Sequence, residues 1–290
     1  MVLFINSFDF CLIFAKPALS FFILYYIISY ILIMKKQLKL KCTFQHLLLI
    51  SLLISSFFYG KYSLYASVTM IDVGQGDCTF IRLPMNRGNI LIDTGGNVNY
   101  DIAESVLIPY FYSIGVSSLD YVYISHDDFD HCGALESLIR HFEVKNVIKK
   151  YEEKRIVNEL SIEMLKTDKV YRDTNDNSLI MKISLYDCHF LFMGDASKEV
   201  EKDLYNEYGK IDIDVLKVSH HGSSTSTGND LFKMISPKIA MIGVGKNNIY
   251  KHPSYQVIDR LNRKGINILR TDEDGMFHIR FYGENGYIFR

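Results

Sequence analysis

The chain has 290 residues, and 32 Lys plus Arg against 33 Asp plus Glu leave a formal net charge of -1. A hydrophobic share of 48% with 22% charged residues excludes a disordered chain, and a mean hydropathy of +0.05 excludes a membrane protein throughout. The average hides a split: six Lys against one acid, Asp9, give residues 1–65 a charge of +5 and leave -6 for residues 66–290.

Two uncharged apolar runs, 18–34 and 44–59, come first. At about 1.5 Å per residue each reaches roughly 25 Å as a helix, close to a hydrocarbon thickness of about 30 Å. They predict two short transmembrane helices and a membrane anchor over 1–65. Lys35, Lys36, Lys39 and Lys41 lie between the runs. Lys in a short loop stays cytoplasmic, so the protein is expected in the cell membrane with residues 66–290 outside the cytoplasm.

After residue 65, short apolar runs alternate with Gly, Asn and Asp. Strands are expected at 66–73, 78–83 and 89–93, a helix at 101–114, a strand at 120–125, a helix at 133–142 and a strand at 145–149. Strands follow at 179–186 and 189–193, a helix at 197–208, a strand at 213–218, a helix at 229–235 and a strand at 238–242. A helix at 254–264 and strands at 266–270 and 276–282 complete the series. Hairpins mixed with strand–helix alternation predict an α/β fold whose sheets carry helices on their outer faces. The five Cys are scattered without CxxC spacing, so neither a zinc ribbon nor a disulfide framework is indicated.

The strongest chemical signal is Ser125-His126-Asp127-Asp128-Phe129-Asp130-His131, directly after a strand. His126, Asp128, Asp130 and His131 are four metal-competent side chains in six residues, and a loop at a strand end can turn them to one point. Asp93 in LIDTGG, Asp195 in FLFMGDAS and His220-His221 in VLKVSHHGSSTS have the same setting, a polar group just past an apolar strand. Together they supply enough ligands for two metal ions.

With Ile71-Asp72-Val73-Gly74-Gln75-Gly76-Asp77, Asn177-Ser178, His252-Pro253 and Thr271-Asp272-Glu273-Asp274-Gly275, these motifs resemble the metallo-β-lactamase superfamily. They look most like the C-terminal hydrolase domain of the ComEC family of competence proteins, over roughly residues 66–290. The resemblance implies a metallo-β-lactamase-like αββα sandwich with a metal site at the edge between two sheets. It also implies a shell of His126, Asp128, Asp130, His131, Asp195 and one of His220 and His221, with Asp195 bridging. His221 is the favoured ligand and His220 the residue facing substrate phosphate. Asp128 stands where the superfamily has a second His. Asn177 stands about where the next His would be, so oxygen replaces imidazole and Mn or Mg is favoured, with Zn also accommodated. Asp77 and Asp93 are expected to hold the free N–H groups of the His ligands.

The resemblance thus implies a membrane-tethered, metal-dependent hydrolase of the phosphodiesterase or nuclease type. Asp130 or Asp128 would orient the nucleophile, and His220 or His252 would donate a hydrogen bond to the substrate. DNA is the substrate that the resemblance favours, although a domain charge of -6 offers a polyanion no general attraction. Basic patches at Lys145, Lys149, Lys150, Lys154 and Arg155, and at Lys246, Lys251, Arg260, Arg263 and Lys264, offer local sites. Two spans leave no room for the multi-helix ComEC channel, so any channel would be a separate partner protein. A small phosphoester such as phosphorylcholine on an envelope polymer is the second substrate reading. A non-catalytic, metal-stabilised domain that binds DNA or a partner is the third. Ser226 lies in a polar loop and has no assigned role.

Overall fold

The computed structural model describes residues 16, 19–38 and 43–290. Residue 18 and the lysines at 39 and 41, on which the membrane reading partly rests, lie outside the described residues. Helices α1 (Leu19–Gln37) and α2 (Thr43–Lys61) lie side by side. α1 is long and apolar enough to cross a membrane and has no buried residue, while the apolar part of α2, Thr43–Ser56, is shorter. The end of α2 is tied to the body of the chain: Arg82 donates from Nη2 to the Lys61 carbonyl and from Nη1 to that of Ile114, both at 3.0 Å.

The strands in chain order are β1 (Ala66–Met70), β2 (Thr79–Arg82), β3 (Asn89–Ile92), β4 (Ser118–Leu119), β5 (Tyr121–Tyr123), β6 (Glu143–Val144), β7 (Val147–Ile148) and β8 (Arg155–Val157). They continue as β9 (Leu160–Leu165), β10 (Ile180–Leu185), β11 (Cys188–Phe192), β12 (Val215–Lys217), β13 (Ile239–Ile242), β14 (Asn267–Arg270), β15 (Phe277–Tyr282) and β16 (Asn285–Phe289). Two seven-stranded sheets form, in the orders β16-β15-β1-β2-β3-β5-β7 and β14-β13-β12-β11-β10-β9-β8, and β4 pairs with β6. Their inner faces pack together: Val68, Ile90, Ile92 and Tyr123 of one meet Ile183, Phe190, Phe192 and Met241 of the other.

The outer faces are filled as well. Phe80, Leu91 and Val122 pack against Leu107, Phe111 and Leu138, and Leu191, Leu216 and Ala240 pack against Val200, Leu204 and Leu261. Successive strand residues point to opposite faces, so Leu91 and Leu191 face helices while their neighbours Ile90, Ile92, Phe190 and Phe192 fill the centre. Strands buried on both faces read as continuous apolar runs, which is why NILID and FLFMG stand out in the sequence. Each such side chain contributes roughly 1.5–3 kcal/mol by burial. The layers are helix, sheet, sheet, helix.

Strands β3, β5 and β7 run parallel in one sheet, and β11 to β14 run parallel in the other. Parallel strands deliver their carboxyl ends to one edge, where ligands of α/β sheets collect. That edge receives Asp93 after β3, His126 after β5, Asp195 after β11, and His220 and His221 after β12.

Two strand regions depart from the expected elements. Residues 155–165 form the hairpin β8–β9, with Leu160, Ile162 and Met164 buried, and β16 adds an exposed edge strand beside β15. The expected helix 101–114 is a π-helical stretch, Ala103–Leu107, running into an α-helix at Ile108–Ser113.

Candidate metal centre

The 126–131 loop ends in one short helical turn, Phe129–Cys132, in which the amides of His131 and Cys132 both reach the Asp128 carbonyl at 3.0 Å. Two glycine-bearing loops clamp this turn. The Asp77 amide donates to the Asp130 carbonyl at 3.1 Å, and the Thr94 amide donates to that of His131 at 2.7 Å. Gly76 has φ +147°, and a Cβ there would lie 2.5 Å from the Asp130 carbonyl oxygen. This close approach is what the DVGQGD segment requires of its second glycine.

On the other sheet, Gly194 (φ +52°) allows Asp195 to lie against Ser178, whose Oγ accepts the Asp195 amide at 3.1 Å. His220 and His221 sit at φ +50° and +51°, a left-handed conformation that costs non-glycine residues energy and clusters at functional sites. The His220 amide donates to the Gly194 carbonyl at 3.2 Å, and Ser219 Oγ donates to that of Ala196 at 2.6 Å, which lace the two loops together. Ser226, expected to be an unassigned polar loop residue, is fully buried and donates from Oγ to the Ser219 carbonyl at 2.9 Å. It braces the His pair.

The side chains converge across the two sheets. Asp195 Oδ1 lies 3.2 Å from His131 Nε2. Its Oδ2 lies 3.9 Å from His126 Nε2, 3.7 Å from His220 Nε2 and 4.0 Å from His221 Nε2. Asp130 Oδ2 is 3.1 Å from His221 Nε2, and Asp128 Oδ2 is 3.6 Å from His126 Nε2. Donor atoms of Asp77, His131, Asp195 and His221, all buried, lie within 4.8 Å of one another.

The imidazoles of His126, His131 and His221 each have the other nitrogen engaged. His131 Nδ1 is 2.9 Å from Asp93 Oδ2, and His221 Nδ1 is 2.8 Å from the Gly243 carbonyl. His126 Nδ1 is 3.0 Å from Ser125 Oγ, which itself donates to Asp93 Oδ2 at 2.9 Å. Nδ1–H donation at all three leaves the Nε2 lone pairs for a cation. The buried Nε2 atoms of His126 and His131, and Asp195 Oδ1, have no hydrogen-bond partner, which a bound cation would remedy. Burial by itself would raise the Asp195 carboxyl, but the His131 imidazole 3.2 Å away, with His221 and His220, holds it well below the usual carboxylate range. Burial, and then the charge of His131, push His126 down toward the neutral form a ligand needs.

Of the residues expected from the sequence, His126, Asp128, Asp130, His131, Asp195, His220 and His221 come together. Asp93 holds His131, and Ser178 Oγ is 3.4 Å from His126 Nδ1. His252 stands at the rim, its ring 5.9 Å from that of His220. Asn177 differs from expectation because its amide is engaged within its own loop. It accepts the Tyr171 N–H at 3.0 Å and donates to the carbonyls of Tyr171 and Asp173, so it shapes the loop that carries Ser178. Asp77 also differs. Its partner is Lys217 Nζ, while the histidine nitrogens it was expected to hold lie 3.5 Å (His221) and 3.8 Å (His131) away and are engaged elsewhere. Lys217, a lone cation inside the apolar run DVLKV, falls in a segment that carries the family resemblance, but the sequence reading gives it no role at the site.

Residues 71–246 match the metallo-beta-lactamase superfamily, and the chain belongs to it. It is 32% identical to ComE operon protein 3 of Bacillus subtilis, over 79% of this chain and 35% of that protein. It is 31% identical to Recombination protein 2 of Haemophilus influenzae, over 74% and 29%, and 31% identical to Competence protein ComA of Neisseria gonorrhoeae, over 72% and 31%. These are the ComEC-type proteins whose motifs the sequence resembles, and the chain spans about a third of their length. Among solved structures, the metallo-beta-lactamase fold protein YhfI from Bacillus subtilis aligns with a TM-score of 0.48 at 13% identity, covering 75% of this chain and 100% of that one.

Proposed function

We propose that this chain is a membrane-anchored phosphodiesterase that uses two divalent ions and cuts a nucleic-acid strand. The observation that carries the proposal is Asp195, which has one oxygen toward His131 and the other toward His126, His220 and His221. A carboxylate so placed is suited to serve two ions at once. Divalent ions in such a pair lower the pKa of water toward about 7 and stabilise the charge of an in-line displacement. Around them Asp130 Oδ2 lies 3.1 Å from His221 Nε2, so the two could serve one ion, and the half-exposed His220 presents an N–H to a phosphate oxygen at the open rim beside His252. With Asp128, Asp130 and Asp195 among the donors, the site favours Mn or Mg over a purely imidazole-seeking Zn.

Two features support a nucleic-acid strand over a phosphorylcholine ester. The first basic patch is not one of them, because three of its five cations are paired, Lys145 with Asp120, Lys149 with Asp127 and Arg155 with Glu152. In the second, exposed Lys246 and Lys251 flank Tyr250, which is 61% exposed and stacks on His252 at 5.9 Å between ring centroids. Cations interleaved with an aromatic ring suit a single strand, through its phosphates and one stacked base, and the same cations repel a choline headgroup. The names of the relatives, a competence protein and a recombination protein, point the same way.

The test uses the full chain in detergent with Mn, assayed on a single-stranded oligonucleotide and on p-nitrophenylphosphorylcholine. Cleavage of the oligonucleotide that a chelator abolishes is expected. Turnover of the choline ester alone would give the site to the small substrate, and turnover of neither would favour a binding domain. Orientation is set by the lysines between the two apolar runs: protease added to intact cells removes the domain, whereas protection would place it inside.

A further inference from the structure

Five carboxylates, Asp77, Asp93, Asp128, Asp130 and Asp195, crowd the site, and two divalent ions would bring only four positive charges. One buried cation is available beside them. Lys217 is 3% exposed, and its Nζ is paired with Asp77 Oδ2. A small cavity lined by Asp77, Asp93, Ser125, Gly194 and Lys217 adjoins the pair behind the histidines. Asp77 has ligand reach, since one of its oxygens lies within 4.8 Å of donor atoms of His131, Asp195 and His221. Among the described residues Asp77 Oδ1 has no hydrogen-bond partner, and its nearest histidine nitrogen, His221 Nδ1, is 3.5 Å away.

Resting on the two-ion reading of the site, we propose that Lys217 is a positioning residue. Its ammonium keeps Asp77 out of the metal shell and cancels its charge, so that five carboxylates, two ions and Lys217 sum to zero before a bound water ionises and an anionic phosphodiester meets less repulsion. Buried charges in a low-dielectric site act over several ångströms, and an unpaired one is strongly unfavourable. A salt bridge that merely braced the fold would share the location, but its loss would not tighten metal binding.

Replacing Lys217 by Met removes a positive charge next to two cations and frees Asp77 to bind one of them. Lys217→Met is therefore expected to bind Mn at least about tenfold more tightly, because a repelling unit charge is lost at short range, while turnover of bis(p-nitrophenyl) phosphate falls by a similar factor. Mn affinity is measured by calorimetric titration of the full chain in detergent. Weaker or unchanged Mn binding in Lys217→Met overturns the proposal. The charge-balanced Asp77→Asn/Lys217→Met pair decides the matter if the single variant does not fold. It removes both charges, so Mn affinity and turnover within about threefold of wild type are expected, and a loss of tenfold or more in either means the pair is a structural brace. Wild-type protein that binds no Mn overturns the two-ion reading itself, and this inference with it.

Discussion

The two ends of the Asp195 cluster are built differently. At the Oδ1 end the side chain of His131 is 0% exposed and is oriented from behind by Asp93. At the Oδ2 end His126 and His221 are buried but their neighbours are not, with the side chains of Asp128 at 47%, Asp130 at 33% and His220 at 32% exposure. A closed, protein-saturated site holds an ion, and a site with open positions admits water and substrate. On the proposed two-ion reading, the difference assigns retention to the buried end and reaction to the open one, with Asp195 joining them.

The largest effect is expected where the two ends meet. Asp195→Ala removes the shared carboxylate and should lower phosphodiester turnover at least about 100-fold, some 3 kcal/mol of barrier, as read from kcat/KM in the presence of saturating Mn. A smaller and asymmetric effect should separate the ends. His131→Ala should lose the tightly held ion, whereas Asp128→Ala should lose only the exchangeable one, and metal analysis after dialysis distinguishes them. Equal losses would dissolve the comparison.

Within the open end, His220→Ala should lower turnover about tenfold with both ions retained, the loss expected of a single positioned donor or less. Loss of an ion in His220→Ala, with retention in His221→Ala, would exchange the roles of the pair. The smallest effect is on the brace. Ser226→Ala should cost about 1 kcal/mol of stability through one lost buried hydrogen bond, seen as a lower Tm with little change in turnover.

The parts of this design that are legible in the sequence are those set by local chemistry and by strand ends. The loop His126 to His131 announces itself by residue type, and Asp93, Asp195 and the His pair each come just after an apolar run that both faces of a sheet bury. The layered fold is legible for the same reason. The hairpin β8–β9 is not, although Leu160, Ile162 and Met164 alternate with Ser161 and Glu163, because the surrounding Lys, Glu and Asn weaken the apolar signal. The exposed strand β16 has no buried face to mark it.

Long-range pairing is illegible on principle. Lys217 finds Asp77 across 140 positions of sequence, and a lone Lys in a strand says nothing of its partner. Asn177 carries the right residue type at a plausible spacing, yet its amide serves the loop. The role of Ser226 depends on the Ser219 carbonyl turning inward, a matter of backbone geometry that the left-handed residues His220 and His221 impose.

The most direct test of the central claim is the number of ions that Asp195 organises. Equilibrium dialysis of the full chain against Mn should find about two ions per chain, and Asp195→Ala should retain fewer than one at the same free Mn concentration. A wild-type chain holding none, or an Asp195→Ala variant that still holds both, would contradict the account.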